Sequence, residues 1–229
     1  MLLLGDTFPN FQANSTEGVI NFYKWLGDSW GILFSHPADF TPVCTTELAK
    51  LVQLMPEFQK RNVKVIALSC DSVCSHWEWS KDIKFIAGAS QEDKFPFPII
   101  EDKKRAIAYR LGMIDQGELD STDMPVTARA VFVVDPYKKY RLSLLYPAST
   151  GRNFDEILRV IDSLQLCDKN KVATPANWKI GDDVMVLPSV AETKGFNPPI
   201  TVVDLPSGKR YFRKTKNPED CNPDLDIMD

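Results

Sequence analysis

Short apolar runs that alternate with stretches of helical spacing constrain this chain most. Trp30-Gly31-Ile32-Leu33-Phe34-Ser35 is a continuous apolar run ending in a Pro-rich loop, His36 to Val43. That is the pattern of a buried strand feeding a turn. From residue 45 to 58, Leu48, Leu51, Val52 and Met55 recur at three and four, the spacing of one apolar helix face. Residues 63–69 are again β-branched and apolar, and the segment through Trp77 and Trp79 to Ile83 reads as a helix. The rhythm continues with a strand at 97–100, a helix at 104–111, strands at 130–134 and 142–145, and a helix at 154–166. Strands alternating with helices imply a sheet covered by helices, the α/β class. Beyond Cys167 the texture changes to strand-like pieces at 184–187 and 200–203 between Pro and Gly turn signals. The expected organisation is an α/β domain over residues 1–166 and a small β-containing domain over 167–229.

A chain of 229 residues has room for such a pair. Its formal net charge of -4 gives no global attraction to nucleic acid or anionic lipid, so no nucleic-acid partner is expected. No stretch approaches the ~20 apolar residues that span a bilayer, and the start, Met1-Leu2-Leu3-Leu4-Gly5-Asp6, lacks a basic leader region. It reads as a mature N-terminus without stable membrane insertion. Cys44, Cys70, Cys74, Cys167 and Cys221 are an odd set without a signal peptide, which disfavours a disulfide framework and points to a reducing, cytoplasmic setting.

Cys44 stands where the Pro-rich loop enters the first long helix. A cysteine is nucleophilic as its thiolate, and free N–H groups with the positive end of the helix dipole favour that charge. Thiolate alone does not make a fast nucleophile, because intrinsic nucleophilicity falls along with pKa; the bond under attack must also be polarised. Thr41, three residues earlier, can bring a hydroxyl beside the sulfur, while Pro37 and Pro42 stiffen the loop and offer no competing N–H. A fixed guanidinium would stabilise both the thiolate and the charge developing on a leaving group; Arg129, opening the strand at 130–134, is the candidate.

The run Pro37-Ala38-Asp39-Phe40-Thr41-Pro42-Val43-Cys44, followed by Thr45-Thr46-Glu47, resembles the active-site signature of the peroxiredoxin family. Pro125-Val126-Thr127-Ala128-Arg129 is similar to the family's arginine segment, and the resemblance extends over nearly the whole chain, closest to the one-cysteine peroxiredoxin 6 group. It implies a thioredoxin-like fold, a homodimer across which the C-terminal region reaches, and attack of Cys44 on a hydroperoxide with Pro37, Thr41 and Arg129 shaping the site. Two-cysteine relatives carry a resolving thiol in a Val-Cys-Pro motif, where this chain has Ala173-Thr174-Pro175. Thr174 at that position implies a one-cysteine cycle, in which the Cys44 sulfenic acid is reset by an outside thiol, glutathione delivered by a glutathione transferase, or by ascorbate or another reductant. No prosthetic cofactor or metal is implied.

Other residues carry readings of both kinds. His36 can orient Cys44 or serve structure alone, and Glu47 and Arg152 can hold Arg129 or form a structural ion pair. With His76 the only other histidine, a His-rich metal site is not expected. Cys70 and Cys74 read as packing, Cys167 and Cys221 as able to form adventitious disulfides with a resolving role for Cys221 as the lesser reading, and Lys209, Arg210, Arg213, Lys214 and Lys216 as a solvated basic face before a membrane or anion patch. Gly27-Asp28-Ser29-Trp30-Gly31 has the G-x-S-x-G spacing of a serine hydrolase, and the peroxiredoxin 6 group is known for a phospholipase A2 side activity. Here the serine precedes a strand instead of following one, and Tyr23 and Tyr137 stand where the resemblance places a histidine and an aspartate. A lipid hydrolase is therefore the disfavoured alternative, and an oligomeric chaperone rests on family behaviour alone.

Overall fold

The computed structural model describes residues 2–120, 123–190 and 198–218. A short hairpin, β1 (Gln12–Ser15) and β2 (Gly18–Asn21), leads into α1 (Phe22–Leu26) and the strand β3 (Trp30–Ser35). Then follow α2 (Pro42–Lys60), β4 (Val63–Ser69), α3 (Val73–Ala87), β5 (Ile99–Glu101), α4 (Ala106–Leu111), α5 (Gln116–Leu119), β6 (Arg129–Val134) and β7 (Tyr140–Tyr146). The seven strands form one mixed sheet in the order β2-β1-β5-β4-β3-β6-β7, with β3, β4 and β5 parallel and the others antiparallel to their neighbours. Central β3 and β6 are buried along their whole length, which is why both read as continuous apolar runs and not as alternating ones.

Leu33, Ile66 and Leu68 turn to one face and pack with Phe8, Phe22 and Leu26. Phe34, next along β3, turns to the other face, where its ring meets Phe58 of α2 and Phe154. α2 begins at Pro42, whose missing N–H is one that the first turn could not have paired anyway, and Thr41 caps it in extended conformation. The helix thus starts three residues ahead of the apolar periodicity and takes Cys44 into its first turn. α3 is capped by Ser72, whose hydroxyl accepts from Ser75 N–H at 3.2 Å, and it stops at Gly88 in the left-handed region.

The chain divides into two compact units at Phe154/Asp155, whereas the change of texture had set the division at 166/167. The second unit contains most of α6 (Phe154–Lys169) and the strands β8 (Val172–Ala173), β9 (Val184–Val186), β10 (Thr201–Val202) and β11 (Arg213–Thr215), in the antiparallel order β10-β11-β9-β8. Its core joins Leu166 of α6 to Val172, Trp178 and Val184, and that contact draws the helix into the C-terminal unit. Arg213 departs from the expected basic face: it is buried and donates to the carbonyls of Val190 and Leu187, while Lys214 and Lys216 pair with Asp183. No described helix is long and apolar enough to cross a membrane.

Candidate active site

β3 delivers the chain to the loop at its C-terminal end, the loop turns through Phe40 at a φ of 53°, and α2 places Cys44 in its first turn. The Cys44 side chain is completely enclosed. From the antiparallel neighbour β6, Arg129 reaches across and donates from Nη1 to Cys44 Sγ at 3.1 Å and to Glu47 Oε2 at 2.9 Å. Its Nε and Nη2 both donate to the Ala148 carbonyl, at 2.9 and 2.6 Å, so the guanidinium is gripped along one edge. Four of its five N–H groups are thereby directed, and a second Nη2 hydrogen has no partner among the described residues.

Glu47, three residues beyond Cys44 and so on the same helix face, accepts from two arginines. Arg152 donates from Nε and its backbone N–H to Glu47 Oε1, at 3.0 and 2.8 Å, and from Nη2 to Oε2 at 2.8 Å. Its Nη1 bridges the carbonyls of Ser35 and Ala130, both at 2.8 Å, tying β3 to β6, and its guanidinium lies 5.3 Å from the Phe34 ring. Burial pushes the Glu47 carboxyl up, but the charge and hydrogen bonds of Arg152, with the charge of Arg129, outweigh it and hold the group below its ordinary value. Two arginines and one carboxylate leave one net positive charge in an enclosed site, which a thiolate at Cys44 neutralises.

Thr41 Oγ1 donates to the Ala38 carbonyl at 2.9 Å, so the hydroxyl proton is spoken for within the loop. Pro37 is half-buried between His36 and Ala38. Beside Thr41 an open groove of about 500 Å³ is lined by Phe40, Pro42, Thr45, Phe85 and Ile86 together with polar Asp82 and Thr46.

His36 does not stand alone. Its Nε2 donates to Asp39 Oδ1 at 2.9 Å, and His76 Nδ1 meets Asp39 Oδ2 at 2.7 Å, joined there by Ser75 Oγ at 2.8 Å. Burial pushes the Asp39 carboxyl up, yet the hydrogen bonds from His36 and His76 prevail and hold it well below the usual carboxylate range. Burial lowers His36, against the opposing pull of Asp39, and its Nδ1 has no hydrogen-bond partner among the described residues. The chain's two histidines therefore meet on one carboxylate, a grouping that sequence spacing did not reveal. His, Asp and His could ligate a metal, but each carboxylate oxygen already faces a ring nitrogen at hydrogen-bond distance, and the arrangement works as a clamp on the loop.

The remaining candidates separate. Ser29 Oγ donates to Asn62 Oδ1 at 3.1 Å, the Tyr23 hydroxyl donates to the Phe8 carbonyl, and Tyr137 is 84% exposed, so no base is assembled beside Ser29 among the described residues. Both glycines of that motif serve the fold: Gly27 ends α1 at a φ of 58°, and a Cβ on Gly31 would lie 2.5 Å from Leu26 Cδ1. Thr174 shares a hydrogen bond with Ser163 at 2.6 Å. Cys70 is buried, and that burial pushes its thiol up to about 11, which fits packing; Cys74 is exposed, which does not. Cys221 lies outside the described residues.

Residues 4–142 match the AhpC/TSA family, and residues 163–195 match the C-terminal domain of 1-Cys peroxiredoxin. The chain is 60% identical over 220 residues to peroxiredoxin-6 of Rattus norvegicus, covering 95% of this chain and 98% of that protein. It is 59% identical over 221 residues to peroxiredoxin-6 of Gallus gallus, covering 95% and 99%. A solved cysteine-to-serine mutant of the peroxiredoxin 6 of Arenicola marina superimposes with a TM-score of 0.92 at 56% identity, covering 96% of this chain and all of that one. A yeast mitochondrial 1-Cys peroxiredoxin, solved to explain thiol resolution via glutathione/thioredoxin systems, gives 0.83 at 48% identity over 94% of this chain and 100% of that one. With a signature-bearing loop, a thioredoxin-like sheet and relatives this close along nearly all its length, the chain belongs to the peroxiredoxin family as a thiol peroxidase of the peroxiredoxin 6 kind.

Proposed function

We propose that this chain reduces hydrogen peroxide and organic or phospholipid hydroperoxides through Cys44. The thiolate attacks the terminal oxygen in line with the O–O bond; the S–O bond forms, the O–O bond breaks, and water or an alcohol leaves after taking up a proton. The observation that carries this reading is the 3.1 Å contact from Arg129 Nη1 to a fully enclosed Cys44 Sγ, with the guanidinium anchored on Ala148 and Glu47. Such a donor favours the thiolate beforehand and the leaving oxygen during the reaction, at no cost of reorganisation. Thr41, its proton given to Ala38, keeps lone pairs that accept the O–H of the peroxide, and the unpartnered Nη2 hydrogen of Arg129 is a second handle. The groove past Phe40, Phe85 and Ile86 supports acceptance of an apolar peroxide tail.

The cycle is of the one-cysteine kind: two external thiols, of which glutathione is the proposed physiological one, convert the sulfenic acid back to thiol and release a disulfide and water. A glutathione transferase that delivers the thiol, a cytoplasmic setting and a homodimer with the C-terminal region as its arm belong to the same reading. Free β7, last in the sheet, supports the dimer. Stopped-flow consumption of hydrogen peroxide by reduced wild type and Cys44→Ser tests the chemistry, with mass analysis of the oxidised protein. Fast consumption lost in the variant, with one added oxygen on Cys44 and no intrachain disulfide, is expected; a Cys44-independent rate would overturn it.

A further inference from the structure

Trp79 lies on α3, yet it meets the active-site loop at two places and the first turn of α2 at a third. Its Nε1–H donates to Thr45 Oγ1 at 3.0 Å, and Thr45 Oγ1–H in turn donates to the Thr41 carbonyl at 2.7 Å. The same carbonyl accepts the Thr45 N–H at 3.0 Å, so two donors from one residue fix the peptide joining Thr41 to Pro42. The indole is wholly buried, with its ring 5.0 Å from that of His36 and 6.4 Å from that of Phe40. Phe40 occupies the left-handed region at a φ of 53°, an unfavourable place for a bulky residue that persists only where the surroundings enforce it. Trp79 supplies part of that enforcement.

We infer that Trp79 and Thr45 are positioning residues for peroxide binding: a hydrogen-bond relay from α3 through Thr45 holds Thr41 in the orientation that receives the hydroperoxide. The inference rests on the reading of Thr41 given above. A hydroxyl has one proton to give; with the indole N–H on its lone-pair side, that of Thr45 is left to point at Thr41, and linked bonds of this kind reinforce one another. Arg129 is held separately, by Ala148 and Glu47. Loss of the relay therefore impairs peroxide orientation while leaving the thiolate and its guanidinium in place.

Two rates of Cys44 distinguish this from a merely structural role: oxidation by hydrogen peroxide, which needs the oriented O–O bond, and alkylation by iodoacetamide, which needs the thiolate and access to it but no oriented O–O bond. Trp79→Phe keeps a ring against His36 and Phe40 but removes the N–H, and Thr45→Val removes the hydroxyl at similar volume. Each is expected to slow oxidation about tenfold, the worth of one neutral hydrogen bond, with alkylation at the wild-type rate. Thr45→Ser, which retains the hydroxyl, is expected to restore oxidation, and the Trp79→Phe/Thr45→Val double variant to be no slower than either single one. Parallel falls in both rates, multiplying losses in the double variant, or a Thr45→Ser as slow as Thr45→Val would overturn the relay. Absence of Cys44-dependent peroxide reduction in wild type would instead overturn the peroxidase reading beneath it.

Discussion

At Arg129 one guanidinium serves a sulfur, a carboxylate and a carbonyl at once, and only a planar fork of five donors can do so. Arg129→Lys keeps the charge but offers a single ammonium on a mobile stem, so peroxide oxidation of Cys44 is expected to fall about a hundredfold in stopped-flow measurements, the range for losing a positioned donor. Glu47→Gln addresses stability. Two enclosed guanidiniums would then face a neutral amide, and the loss is expected to be about 3–5 kcal/mol, read as a lower denaturant midpoint with an unchanged slope. Cys44, Thr41, Pro37 and Arg129 were named from the sequence because their segments resemble a family signature, and the fold brings Arg129 to Cys44. The Asp39 clamp was not, since His76 reaches it from 37 residues away, and only the folded sheet brings the two together. Nor could spacing show that Trp79 meets Thr45, a tertiary contact across α2 and α3.

The long elements were readable because burial on a sheet face or against a sheet imprints a period. Short ones were not: β1 and β2 have four residues each, too few to show a period, and are defined by the pairing of β1 with β2 and with β5. β5 begins at Ile99 instead of 97 because Pro98 has no N–H to donate, although its carbonyl still accepts from Ala67. The turn from β4 to α3 separates its two cysteines chemically. Cys70, at the strand end and raised to about 11 by burial, should resist iodoacetamide at pH 8 until the chain unfolds, while exposed Cys74 is labelled in the native state; peptide mass mapping checks both. At the edge of the sheet, Leu145 on β7 is 61% exposed, with no further strand beside it among the described residues. Leu145→Lys charges that edge and is expected to shift the proposed homodimer toward monomer in sedimentation velocity, leaving monomer secondary structure intact by circular dichroism.

For the whole molecule, the buried charges of the active-site region set how stability responds to acid. His36, Asp39 and Glu47 are all held below their ordinary values in the fold. Between the folded and unfolded values of each group the unfolded chain binds the extra proton, so stability rises with pH there, by at most about 1.4 kcal/mol per pH unit for each titrating group. Each contribution is therefore complete above the ordinary value and lost as pH falls through the folded one. The His36 window opens downward from 6.5, the Glu47 window from 4.5 and the Asp39 window from 3.8. Asp102 runs the other way, because burial raises it despite the N–H groups of α4 around its carboxyl; its window opens upward from 3.8, where it offsets part of the Glu47 limb. Thermal midpoints of the reduced protein are expected to be level between about pH 7 and 8, to decline below about 6.5 as His36 titrates in the unfolded chain, and to drop more steeply once the carboxylates follow. His36→Gln keeps an N–H donor for Asp39 without an ionisable ring. Whatever its absolute stability, its first decline between pH 6.5 and 5 should be flattened relative to wild type; an undiminished decline in this variant would remove His36 as the source.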